Sequence, residues 1–229
     1  MTAVLTMKIP PVRRKDMHGG AVPPPPVRNV VEYADGSGPA RAVAYVEREL
    51  PPGGIPAYLA ARGSGARSFV LWGDENRGSR VATVVTESAR NGVATYQVLG
   101  AHGEVIGTIV REKALSGRGL RTRWTVRQPG LPDAVGYKGR IFWWLVVWLL
   151  SPMAPFALVI AAFENGDFPR GPRRIIWRAS GQVPLEFKAF GDKLRLCAPE
   201  LDRRLGFGLI ALLRSFDGWL GNSWDDRKK

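Results

Sequence analysis

Between Arg140 and Glu164 the chain reads IFWWLVVWLLSPMAPFALVIAAF, 23 residues without a charge. No other stretch restricts the fold as strongly. As one helix it reaches about 34 Å, enough for a hydrocarbon core of about 30 Å. Trp143, Trp144 and Trp148 gather near one end, where interfacial aromatics sit. Three readings compete. A single span separates residues 1–140 from 164–229, yet both flanks carry short alternating strands that need one another to close a sheet. A hairpin keeps the flanks together. Ser151, Pro152, Met153, Ala154 and Pro155 lie at its midpoint, and two prolines break a helix ladder there. Its halves, Ile141 to Leu150 and Ala154 to Phe163, each reach about 15 Å, one leaflet deep. Backbone groups at such a turn need partners, which counts against it. In the third reading two apolar strands line the core of a large barrel. Basic residues stand on both sides, Arg127, Lys138 and Arg140 before, Arg170, Arg173, Arg174 and Arg178 after. They show no asymmetry to orient a single span, and the hairpin is preferred.

The rest of the composition points the same way. Lys and Arg number 33 against 20 Asp and Glu, a formal charge of +13. That favours anionic partners, either nucleic acid or an anionic membrane face; the plainer account is an Arg-rich solvated surface. A lone cysteine, Cys197, excludes an internal disulfide and is expected buried and inert, in a reducing compartment. The first residues hold no continuous apolar run of the signal-peptide kind.

Periodicity sets the domain plan. Residues 1–26 read as a disordered, basic, Pro-rich arm, with Arg13, Arg14 and Lys15 and then Pro23 to Pro26. Residues 27–220 read as one β-rich domain carrying the insert 141–163, and 221–229 as a frayed tail. Asp35 and Gly36 mark a hairpin, and DGSG at 35–38 is a turn rather than an acidic-protease loop. IPAYLAAR suits a short helix before Gly63. RSFVLW, SRVATVVT, GVATYQVLG and EVIGTIVRE read as strands. In LRTRWTVRQ, Leu120, Thr122, Trp124 and Val126 point one way and Arg121, Arg123, Thr125 and Arg127 the other. GYKGR reads as a linker. IIWRAS, VPLEFKAF and KLRLCA resume the strands, the last two joined through Gly191 and Asp192.

The last element starts near Pro199 with acids at Glu200 and Asp202, as a helix N-terminus prefers. Leu205 to Leu213 is apolar on every side, too short for a bilayer and suited to being surrounded by protein. Gly206 and Gly208 permit close backbone packing.

Two stretches, YQVLGAHGEVIGTIVR (Tyr96 to Arg111) and KLRLCAPELDRRLGFGLIALLRSFD (Lys193 to Asp217), resemble the tubby-like superfamily, which includes tubby C-terminal domains, phospholipid scramblases and LURP-one-related proteins. Gly103 and Gly107 match its strand–turn–strand unit, and Gly100 replaces the usual acid. The resemblance implies a mainly β, α+β fold: a closed antiparallel barrel around a C-terminal apolar helix, here with an inserted apolar hairpin or span. It implies lipid association or tethering. Calcium-triggered scrambling does not carry over, because the acid-rich segment and cysteine cluster have no counterpart.

Catalytic signatures are missing from the sequence. His18 and His102 have no neighbours at metal-ligand spacing, and no nucleophile-elbow, P-loop or dinucleotide motif occurs. The expectation is a non-enzymatic, membrane-tethered β-domain at the cytoplasmic face of the cell membrane, without cofactor or metal. Anionic lipids are its partners, and nucleic acid is not, since Trp124 and Trp177 are expected to point inward. Arg121, Arg123, Arg127, Lys138, Arg140, Arg170, Arg173 and Arg174 are the candidate head-group ligands, with Trp143, Trp144 and Trp148 at the interface. A scramblase-like lipid transporter and a single-span protein are the alternatives.

Overall fold

The computed structural model describes residues 2–10, 26–114, 119, 121–138, 174–188, 191–216 and 223–225. Among these residues twelve strands and two helices follow in the order β1 (Ala3–Lys8), β2 (Asn29–Ala34), β3 (Arg41–Arg48), α1 (Gly54–Arg62), β4 (Phe69–Trp72), β5 (Arg80–Arg90), β6 (Val93–Gly100), β7 (Val105–Glu112), β8 (Arg123–Arg127), β9 (Ala134–Tyr137), β10 (Arg174–Ala179), β11 (Gln182–Lys188), β12 (Lys193–Leu196) and α2 (Arg203–Ser215). Each strand pairs with the next, and β12 pairs with β1, so the sheet closes into a barrel without an edge. All pairings are antiparallel.

Alternation is what closes it. Val84, Tyr96, Ile109, Trp124, Trp177, Leu185 and Leu194 are fully buried, and most of their strand neighbours are more exposed, Thr83, Thr125 and Glu186 being covered as well. Tight turns suit the sharper hairpins: Asn91 (φ 52°) and Gly92 (φ 74°) join β5 to β6 in the left-handed conformation such turns require.

α2 fills the lumen. Asp202 caps it, its side chain accepting from the Arg204 N–H. Every residue from Leu205 to Leu213 is buried. Gly206 and Gly208 lie on opposite sides of the helix, because two residues turn it by about 200°. A Cβ at Gly206 would meet Leu196 of β12 and Leu5 of β1, and one at Gly208 would meet Val84 of β5 and Val98 of β6. Those strand pairs lie across the barrel from each other.

Antiparallel closure also sorts the connections. They alternate between an N-cap end, where α2 begins, and a C-cap end, where it finishes. At the N-cap end none exceeds the seven residues 73–79. The C-cap end takes the β1–β2 connection, α1 between β3 and β4, and the 36 residues 138–173 between β9 and β10.

Several expectations change. Residues 3–8 are not part of a disordered arm: they form β1, with Leu5 and Met7 buried, and they close the barrel. Gly136 and Tyr137, expected to open the GYKGR linker, instead complete β9, whose Gly136 makes room for Ile175 and Trp177. Pro199 and Glu200 precede α2 instead of opening it. Cys197 is exposed, because it follows β12 out of phase with buried Leu194 and Leu196. The insert 141–163 lies outside the described residues, and among the described residues no helix is long and apolar enough to cross a membrane.

Candidate functional site

β8 to β12 are consecutive in the barrel, so side chains that alternate outward on them share one face. With Trp124 and Trp177 pointing in, Arg121, Arg123, Arg127 and Arg174 point out together. Arg121 stacks on Tyr137, 4.6 Å from the ring centroid. Arg127 pairs with Asp133 at 2.8 Å and Arg123 with Glu112 at 3.6 Å.

The face continues where sequence reasoning did not follow it. Glu186, nearly buried, sits among Arg174 at 2.7 Å, Lys188 at 3.6 Å and Arg195 at 3.7 Å. Arg178 and Lys193 are exposed and make no ion pair among the described residues. One carboxylate therefore serves three cations, and two further cations stand beside it. Such exposed pairs contribute little to stability, but together they set the sign of the local field. The signal was present in the strand alternation: Lys188, Lys193 and Arg195 are out of phase with Phe187, Leu194 and Leu196.

Lys138 does not belong to this face. It is in phase with buried Ala134 and Gly136, so it turns inward and is buried, and its N–H donates to the Thr122 carbonyl at 2.9 Å. Arg140, Arg170, Arg173, Trp143, Trp144 and Trp148 lie outside the described residues. The strands that flank them pair directly, Trp177 against Gly136 and Arg178 against Val135.

Inside the C-cap end the structure assembles a cluster that no local motif announced. Arg48 ends β3, Arg67 precedes β4 and Arg111 lies on β7, all in phase with inward residues. The Asp225 carboxylate, fully buried, lies 3.1 Å from Arg62 Nε, 3.3 Å from Arg67 Nε and 3.5 Å from Arg48 Nε. Tyr58 donates its hydroxyl to both Asp225 oxygens at 3.0 Å. Burial, and then the adjacent carboxylate, push the Tyr58 phenol far above its ordinary value, so it stays a donor. Phe216 stacks with Arg67 at 4.2 Å and Arg111 at 4.1 Å, edge-on to Trp124. Ser223 Oγ donates to the Ser215 carbonyl and Trp224 Nε1 to that of Ala211. The end of α2 is thus covered and satisfied.

The N-cap end is held by local capping bonds and by contacts from α2 to the neighbouring turns. Arg204 bridges Asp202 and Glu104, each at 2.9 Å. The Glu104 carboxylate occupies the space that a side chain at position 100 would take, so Gly100 in place of an acid is matched by an acid four residues on. Gln128 donates to the Glu200 carbonyl and accepts from the Asp202 N–H. Burial alone would raise the Asp202 carboxyl, but hydrogen bonds from Arg204 outweigh it and hold the group below its usual range. Hydrogen bonds, first its own backbone N–H and then Arg204, do the same for Glu104.

Among the described residues no group of three or more His, Cys, Asp or Glu is placed to hold a metal ion. Comparison with protein-family models, curated proteins and solved structures returns no match to this chain.

Proposed function

We propose that the chain is a membrane-tethered, non-enzymatic β-barrel of the tubby-like kind. The apolar segment 141–163 holds it at the cytoplasmic leaflet of the cell membrane, and anionic lipid head groups meet its basic outer face. The closed barrel around a buried C-terminal helix supports the kinship.

The observation that carries the reading is the pairing of β9 with β10 on either side of the apolar segment. An odd number of crossings would put hydrogen-bonded neighbours on opposite sides of a bilayer. Two full crossings need about 40 apolar residues, and the segment has 23. The reading therefore takes a shallow insertion that leaves from and returns to the C-cap end. Arg174 and Lys188, which border that end, stand where head groups would lie. Each cation near an anionic leaflet adds about 1 kcal/mol of attraction.

Deleting residues 141–163 from the full chain tests the tether. The variant should keep its thermal unfolding transition and leave the membrane fraction. A folded variant that still sediments with membranes defeats the reading. Scramblase-like transport rests on the resemblance alone, and α2 occupies the lumen that a path through the barrel would need. Labelled liposomes decide it: no accelerated lipid flip, with or without calcium, rejects transport.

A further inference from the structure

We infer that α1 and the segment Ser223–Asp225 form a latch over the C-cap end, held by the Asp225 carboxylate and able to open as one unit while the barrel stays closed.

The strand ladder runs complete from β1 to β12 and back without either part. α1 buries a single residue, Tyr58, and Tyr58 and Arg62 both close on Asp225. The segment in turn is fixed by side chains: Ser223 to the Ser215 carbonyl, Trp224 to the Ala211 carbonyl and against the Phe69 ring, and Asp225 to the cradle. Asp225 is the contact the two halves share; α1 is further held by Arg67 Nη1 donating to the Arg62 carbonyl and the segment by Ser223 and Trp224, so release of the carboxylate loosens both. A buried charge pair that loses one partner is strongly destabilised, because the other charge stays behind in a dry site. Here the loss is relieved locally, since Arg62 leaves with α1 and Arg48 stands at the barrel rim. Beneath lies Phe216 stacked with Arg67 and Arg111. Opening exposes that aromatic and cationic floor at the end where the 138–173 connection begins and finishes. The inference rests on the barrel geometry and is independent of the membrane reading.

Hydrogen exchange on the full chain tests it. In Asp225→Asn, which keeps the side-chain shape and removes the charge, amides of residues 54–62 and 223–225 should exchange about a hundredfold faster, while those of α2 keep their protection. Amides of β5, β6, β7 and β11 should keep their protection. Tyr58→Phe should accelerate the same two stretches by a smaller factor. Uniform acceleration through the barrel overturns the latch, and so does no change. If Asp225→Asn fails to fold, the wild-type chain in low urea decides. The two stretches must then open together and before the strands, and their opening only with the strands overturns the proposal.

Discussion

The two ends of the barrel are built by different means. At the N-cap end local bonds within short turns stand beside a few long-range ones: Asp202 caps α2 two residues from Arg204 and Asp74 accepts from the N–H groups of Asn76, Gly78 and Ser79, while Arg204 reaches Glu104 and Gln128 reaches Glu200. At the C-cap end the decisive contacts span the chain, with Asp225 meeting Arg48, Tyr58, Arg62 and Arg67. An even number of antiparallel strands forces the asymmetry. Parity sends both ends of the long connection 138–173 to the end where α2 finishes, and the connections at the other end are all short.

The two ends are joined through α2. Leu209 is fully buried halfway along α2. Leu209→Ala should cost about 3 kcal/mol, read as a lower urea midpoint, with exchange rising equally at both ends. A loss confined to one end would show that the helix does not tie them together. Next in size is the outer face. Lys188→Gln with Lys193→Gln, both at the C-cap end, should weaken binding to anionic vesicles by about 2 kcal/mol in sum, with neutral vesicles unaffected and the urea midpoint little changed. Unchanged binding would move the lipid contact elsewhere. Asp202→Ala should cost about 1 kcal/mol through loss of the cap, with the exchange change limited to the first turn of α2 and the 101–104 turn.

The smallest effect separates the ends by pH. Asp202 and Glu104 are held below their ordinary values in the folded chain. Their contribution is complete above the unfolded values near 4 and is lost as the pH falls through the folded values. Acid titration should loosen the N-cap end in that range, and the double variant Asp202→Asn with Glu104→Gln should flatten the curve. A curve that keeps its slope would place the acid-sensitive groups elsewhere.

Much of the barrel was legible residue by residue. In LRTRWTVRQ the alternation identified Trp124 as inward and Arg121, Arg123 and Arg127 as outward, as observed. IPAYLAAR is α1, and Leu205 to Leu213 is the enclosed stretch of α2. β1 was hidden because its Leu5 and Met7 are only two inward residues ahead of a proline pair and a basic run. Its strand character depends on β12 and β2 lying beside it. β9 has four residues and a glycine, and that glycine makes sense only once Trp177 packs over it. Lys138 read as a flank of the apolar segment, yet the phase of β9 turns it inward. Nothing marks Asp225 in its polar tail; its partners are more than 150 residues away in sequence.

By itself the sequence determined the strand faces, a terminal helix that had to be enclosed, and an apolar segment of 23 residues. These follow from backbone geometry, since a strand repeats every two residues and a helix every 3.6. Tertiary structure alone decided that the barrel closes through β1 and β12, that β9 and β10 return the chain to one end, and that a tail carboxylate closes over the C-cap end. Closure and parity are properties of the whole pairing order, and no local window contains them.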